Sequence, residues 1–348
     1  MLSECGRNCN DCRIFHTYCP GCITRACLIA KCKRGITHIG ITDPKSFCRL
    51  REYCTSPNVI PADYMVQVMP KLKVQTKVKF TRFVPVISLT DKRSWFWNDI
   101  HLPWIVVRLS EFVKNKTLIQ RVVSRGLHEF LGFDGKILLS TVMEDEFLDA
   151  LMPSDYIRMI GEIRPDATMT PDSYTYLDDP LCLSWEQTLK QAMFSRIFSE
   201  LEIPVVGLIK GAIWKQITWS TEKAIELGCE SFALPSRELV KLGLFDGVLS
   251  AIMSTLGKSK KDAQLLLYGL SYPIRRGSMF VYSGFSWFIG AKKGYYHKGK
   301  HSFFPTDTYV RFEECHCAAC HGRMPTQLKD DLRSFALHNL LQTVERFR

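Results

Sequence analysis

No stretch of the sequence is both apolar and long enough to cross a bilayer. The most apolar one, Ile203 to Trp214, is short and carries Lys210. This predicts a soluble chain with no membrane partner. Low-complexity tracts, sustained heptads and internal repeats are also missing, and Gly and Pro, 21 and 16 of 348 residues, are ordinary in number. Disordered, collagen-like and coiled-coil classes therefore do not fit. The N-terminal text MLSECGRNCNDC lacks the apolar run of a secretory leader, which predicts a cytoplasmic location. Branched apolar residues are scarce over the first 54 positions, and no Asp or Glu stands between Asp262 and Asp307.

What is present suits a large core or two domains, with 46% hydrophobic and 23% charged residues. Lys plus Arg exceeds Asp plus Glu by 46 to 35, a formal charge of +11, which favours polyanionic partners. Fourteen Cys without an export signal point to metal sites in a reducing compartment rather than to a disulfide framework.

Nine of those Cys fall in the first 54 residues: Cys5, Cys9, Cys12, Cys19, Cys22, Cys27, Cys32, Cys48 and Cys54. With little to bury, residues 1–55 are expected to be a small module held by metal. Cys9-x2-Cys12 followed by Cys19-x2-Cys22 is a strong metal-binding spacing that suits zinc or an iron–sulfur cluster equally. A nucleic-acid-binding knuckle is the alternative to a redox role. Residues 56–70 read as a linker, and residues 71–348 as the main domain. Cys182 and Cys229, isolated in apolar surroundings, read as core thiols.

In the main domain, short apolar strands alternate with amphipathic helices. Strands are expected near 83–89, 103–108, 136–140, 203–209, 230–234, 264–269 and 278–282. The clearest helix runs from Leu183 to Leu201, with Ser184 and Gln187 at capping-box spacing and Leu189, Met193, Phe194, Ile197, Phe198 and Leu201 on one face. Seven or eight βα units predict an α/β fold, a (β/α)₈ barrel. Ahead of it, Leu72, Val74, Val78 and Phe80 alternate with Lys71, Lys73, Lys77 and Lys79, which predicts a further strand with one cationic face.

Near the C-terminus, Cys315-His316-Cys317-Ala318-Ala319-Cys320 sets three thiols where one tight turn can aim them at a tetrahedral ion. His338, on a helix expected over Leu328 to Phe347, is the candidate fourth ligand, with His321 as its competitor. A closed set of three Cys and one His has no open position, so the site reads as structural zinc.

On these residues the chain resembles the tRNA-guanine transglycosylase family, whose zinc loop has the same C-x-C-x-x-C followed by His-Asn-Leu on a helix, here His338-Asn339-Leu340. The resemblance spans roughly residues 80–348. Gly126-Leu127-His128-Glu129-Phe130-Leu131-Gly132-Phe133-Asp134-Gly135-Lys136-Ile137-Leu138 is similar to the family's G-L-H-x-F-x-x-W-D-x-P-I-L. Asp166 to Asp172, Val205 to Ala212 and Tyr268-Gly269-Leu270 resemble three further motifs in the family's order. The Cys-rich module lies outside the resemblance. Its Cys5-x3-Cys9-x2-Cys12 has the spacing of radical SAM clusters, but those follow a first barrel strand, and only four residues precede Cys5.

The family exchanges a guanine in nucleic acid for a 7-deazaguanine-type base through an aspartyl link to the sugar C1′. Such a step needs a carboxylate nucleophile against oxocarbenium character and an acid to protonate the departing purine. By resemblance, Asp172 grips the base edge; a polar-turn role after Pro171 has equal weight. Lys210, followed by Gly211, stands where the family has Gln. The family's acid positions fall on Ser140 and Val281, leaving Glu144, Asp145 and Glu146 as substitutes.

The acid-free window supplies Arg275, Arg276, Lys292, Lys293, Lys298 and Lys300, interleaved with Tyr295 and Tyr296. Cations that hold phosphates beside rings that stack on bases predict recognition of unpaired tRNA or DNA. Two functions follow: a transglycosylase with altered catalytic residues, or a non-catalytic nucleic-acid-binding subunit of a homo- or heterodimer. An iron–sulfur enzyme of base modification is the third alternative.

Overall fold

Short runs of Val, Ile, Leu and Phe, buried on both faces, form parallel strands between covering helices. The computed structural model describes residues 69–176, 181–259, 262–270, 274–275, 277–285, 295–297, 302–304, 315–323 and 331–347. Its strands are β1 (Phe83–Val86), β2 (Trp104–Arg108), β3 (Lys136–Ser140), β4 (Ala167–Met169), β5 (Val205–Leu208), β6 (Ser231–Pro235), β7 (Gln264–Tyr268) and β8 (Phe280–Phe285). Each pairs with the next, and β8 returns to β1 with Phe83 opposite Tyr282, closing an eight-stranded parallel barrel. The expected α/β barrel is the one observed.

Alternation divides the strand side chains. Val84, Val106, Leu138, Val206, Leu266 and Val281 pack in the barrel interior, while Ile105, Ile137, Leu139, Phe232, Leu265 and Leu267 face the helices. Two residues beyond the interior layer, the same parity brings Arg108, Ser140, Tyr268 and Ser283 to the inner side of the C-terminal mouth.

The helices are α1 (Leu109–Lys114), α2 (Lys116–Arg125), α3 (Leu127–Leu131), α4 (Asp145–Ala150), α5 (Pro153–Ile163), α6 (Leu181–Ser195), α7 (Trp214–Leu227), α8 (Arg237–Lys241), α9 (Phe245–Ser259) and α10 (Leu332–Arg346). At Gly207 a Cβ would lie 2.8 Å from the Cβ of Ala224, so α7 sits on β5 closer than any side chain there permits. The last helix, α10, covers the seam between β8 and β1. Phe347 stacks on Phe83 at 5.3 Å and lies 4.7 Å from Tyr282, and the helix's Ala336, Leu337 and Leu340 join the same core, while Phe335 packs on Cys320 of the thiol loop. No described helix is long and apolar enough to cross a membrane.

The structure corrects four expectations. Leu72 to Phe80 is not a strand, although Leu72, Val78 and Phe80 are buried as the alternation predicts. Its backbone bonds instead to side chains at the barrel's N-terminal end: Val78 N donates to Ser231 Oγ at 3.1 Å and Phe80 N to Gln264 Oε1 at 2.8 Å. With Phe80 edge-on to Trp104 at 5.0 Å, the segment plugs that end. Second, Ser184 does not cap a helix. It lies inside α6, where its hydroxyl accepts from Gln216 Nε2 at 2.9 Å, and the α-helix gives way to a 3₁₀ turn at Arg196–Glu200 before reaching Leu201. Third, Met193 is 49% exposed instead of lying on the buried face. Fourth, β4 has no counterpart among the expected strands, and α10 starts at Leu332.

Met69 and Pro70 end the expected linker, the first buried and the second half-buried. Residues 56–68 of that linker and the Cys-rich module lie outside the described residues.

Candidate functional site

Two groups of side chains carry chemistry. The first forms where the loop Cys315–Arg323 meets α10. Backbone donors fold the loop on itself, with Cys320 N to Cys317 O at 3.0 Å and Gly322 N to Cys315 O at 3.3 Å. His321 and Gly322 then take left-handed conformations, φ 50° and 79°, that turn the chain away. His338 Nδ1 lies 3.5, 3.4 and 3.2 Å from the sulfurs of Cys315, Cys317 and Cys320, and all four donors fall within 4.8 Å of one another. Zn–S and Zn–N bonds of ordinary length set a tetrahedral S···N edge of about 3.6 Å, so the donors match a single tetrahedral ion.

His338 is 1% exposed and Cys320 fully buried, whereas His321 points into solvent. The competition for fourth ligand is therefore settled by burial. The Cys317 thiol is held low by hydrogen bonds from Cys315 and Cys320, while contacts with Cys315 and Cys317, and then burial, push Cys320 up. Three crowded sulfurs share protons this way until a cation takes all of them as thiolates. One helical turn past His338, Gln342 Nε2 stands 3.9 Å from Cys315 Sγ, outside the ligand set.

The second group lies at the C-terminal mouth of the barrel, where βα barrels place their functional residues. Asp172, just beyond β4, is buried, and its side chain is only 3% exposed. Lys210, just beyond β5, reaches it with Nζ 3.0 Å from Oδ1. Ser173 N donates to the same oxygen at 2.8 Å, leaving Oδ2, among the described residues, with a long 3.4 Å contact from Met143 N. Gly211 packs against the first turn of α7. A Cβ there would meet Gln216 Cβ at 2.7 Å and Ile217 N at 2.8 Å.

A layer of uncharged and paired groups surrounds this ion pair. Tyr268 hydrogen-bonds Ser140, and burial pushes its phenol upward. Arg108 binds Glu111 at 2.7 Å, and Glu111 also accepts from Leu89 N at 2.8 Å, which ties it to the loop after β1. Ser173 Oγ and Ser283 Oγ are buried with no hydrogen-bond partner among the described residues. Val281 packs in the barrel interior.

The expected substitutes stand on the rim. Glu144 takes Lys114 Nζ at 2.6 Å; burial pushes it up, but the Lys114 bond and charge bring it below the usual range. Asp145 accepts from the Tyr176 hydroxyl, and Glu146 is exposed. Asp166 is structural, as its Oδ2 takes Ile137 N at 2.8 Å and His128 Nε2 at 3.0 Å.

Sequence reasoning missed the groups behind the mouth. Gln191 Nε2 donates to Pro171 O at 3.0 Å and Leu208 O at 2.8 Å, Thr170 Oγ1 accepts from Leu208 N at 2.8 Å, and Ser220 Oγ accepts from Lys210 N at 3.2 Å. These bonds fix both loops that carry Asp172 and Lys210. The available signal was the row of small or amide polar residues, Ser184, Gln187, Thr188 and Gln191, on one helix.

The expected nucleic-acid face is described only in part. Arg275 is ion-paired with Asp246, and its backbone is held by the Tyr282 hydroxyl, which accepts from Arg275 N at 2.7 Å. It is thus half of an ion pair, not a free cation. Tyr295 and Tyr296 lie on β9 (Tyr295–His297), antiparallel to β10 (Ser302–Phe304). Arg276, Lys292, Lys293, Lys298 and Lys300 lie outside the described residues, as do Cys5 to Cys54. Cys229 is a buried core thiol, as expected. No protein-family model matches the chain, and no curated protein matches it significantly.

Proposed function

We propose that this chain is a transglycosylase-like barrel that recognises a guanine or 7-deazaguanine-type base of tRNA or DNA at Asp172 and Lys210, with an altered catalytic apparatus. The observation that carries the reading is the buried Asp172–Lys210 pair at the C-terminal mouth. Guanine presents an acceptor, O6, beside two donors, N1–H and the exocyclic amine. A carboxylate whose Oδ2 has only a long partner can accept from the donors, and the adjoining ammonium can give a hydrogen bond to O6. The Cys315, Cys317, Cys320 and His338 set suits zinc. In this role the ion ties the loop to α10 and offers no position to substrate.

Incubation with labelled guanine and tRNA or duplex DNA tests the reading. Label entering either polymer supports it, and label entering neither counts against turnover.

A second reading, a non-catalytic nucleic-acid-binding subunit, is favoured by Ser140 and Val281. One hydrogen-bonds a neutral phenol and the other is core. This reading expects base binding without exchange.

A further inference from the structure

Trp offers a large flat indole that stacks on other rings and attracts cations to its face. Among the described tryptophans, Trp95, Trp104, Trp185 and Trp219 are buried and Trp97 is half-buried. Trp214 stands apart at 62% exposure. It opens α7, so it sits at the end of that helix nearest the barrel mouth, only four positions after Lys210.

The local packing holds it there. Gly211 is pressed against the first turn of α7, with no room for a Cβ. Gln216 Oε1 accepts from Ala212 N at 2.7 Å, and Lys210 N is bonded to Ser220 of the same helix. The loop that presents Lys210 and the turn that presents Trp214 are thus one fixed unit. Lys215 Nζ lies over the ring, 5.1 Å from its centroid. An exposed ring with an ammonium over one face, in a chain of net charge +11, matches a nucleotide: base on the remaining indole surface, phosphate on the cation.

We infer that Trp214 is a stacking platform for an unpaired nucleobase next to the one held at Asp172 and Lys210, with Lys215 meeting the adjoining phosphate. This rests on the base-recognition reading for the identity of its neighbour. The platform itself requires only a single-stranded nucleic acid.

Anisotropy of labelled single-stranded DNA and RNA oligonucleotides, with the full chain and its Trp214→Ala, Trp214→Phe and Lys215→Glu variants, tests it. Titration of free guanine into the same proteins runs in parallel. Loss of one base stack weakens oligonucleotide binding roughly five- to 150-fold. Trp214→Ala is expected in that range, Trp214→Phe close to wild type, and Lys215→Glu weaker with a shallower salt dependence. Guanine binding is expected to stay unchanged in all variants. Because the ring is exposed, the variants should keep the wild-type thermal midpoint.

Equal oligonucleotide binding by wild type and Trp214→Ala would overturn the platform, and guanine binding would then stand or fall on its own. Trp214-dependent oligonucleotide binding with no guanine binding would keep the platform and sink the base-recognition reading. A Trp214→Ala change that instead abolishes self-association in sedimentation, with oligonucleotide binding intact, would make the ring a protein contact and overturn the inference.

Discussion

Tyr268, the last residue of β7, hydrogen-bonds the side chain of Ser140, the last residue of β3, four strands away around an eight-stranded barrel. The two strands face each other, so the phenol crosses the mouth and closes the top of the interior. Burial is the main influence on this phenol and pushes it upward, against the Ser140 bond and the nearby Arg108 charge. The folded value therefore lies above the unfolded one, near 10.0. Its contribution to stability is complete below that pH and is lost as pH rises through the folded value. Tyr268→Phe is expected to cost about 1 kcal/mol at neutral pH and to reduce the fall of the urea midpoint in alkaline solution. An alkaline fall of undiminished size would contradict this account of Tyr268.

Asp172 and Lys210 form the one ion pair described with both side chains less than a fifth exposed. Lys210→Met leaves a buried carboxylate without its cation and should cost about 3–5 kcal/mol. Adding Asp172→Asn should recover part of that loss, because the uncompensated charge is then gone. Urea unfolding of both variants measures it; additive losses in the double variant would show that the two groups do not interact.

Much of the barrel was legible because its strands are apolar runs at regular spacing. β4 was not, because Ala167–Met169 is three residues long between Asp166 and Thr170 and presents no run. Lys71 to Phe80 misled for the opposite reason. Period-two alternation records burial on one side, and a plug bonded to Ser231 and Gln264 alternates as well as a strand does. The metal cluster was legible because its thiols are close in sequence, and the choice of His338 over His321 needed only the helix to fold back. Gln191, Thr170 and Ser220 act through backbone atoms far along the chain, which no local pattern encodes.

Behind the mouth, Gln191 holds two carbonyls, that of Pro171 just before Asp172 and that of Leu208 at the end of β5, two residues before Lys210. Gln191→Leu keeps the volume and removes both bonds, which should cost roughly 1–3 kcal/mol. Guanine affinity should fall with it, while bound metal stays unchanged. Calorimetry and metal content separate this effect from general unfolding.

With zinc proposed at Cys315, Cys317, Cys320 and His338, His338→Ala removes the donor that α10 supplies, so the purified protein should carry a single equivalent less of bound zinc than wild type. The helix also brings Phe347 onto Phe83 and Tyr282. Loss of the ion should therefore lower the thermal midpoint and expose the β8–β1 seam to proteolysis. Unchanged zinc content by elemental analysis would remove His338 from the site.

Reversal of Lys292, Lys293, Lys298 and Lys300 to Glu is expected to abolish salt-sensitive nucleic-acid binding and leave zinc in place. Anisotropy across a salt series reads this directly. Binding that persists unchanged would move the interface off this window.

The central claim is that the Asp172–Lys210 pair reads the edge of a guanine-type base, and calorimetric titration of guanine into wild type, Asp172→Asn and Lys210→Met tests it most directly. Saturable binding by wild type, lost in Asp172→Asn and weakened in Lys210→Met, is the predicted result. Guanine bound equally by all three proteins, or by none, would contradict it.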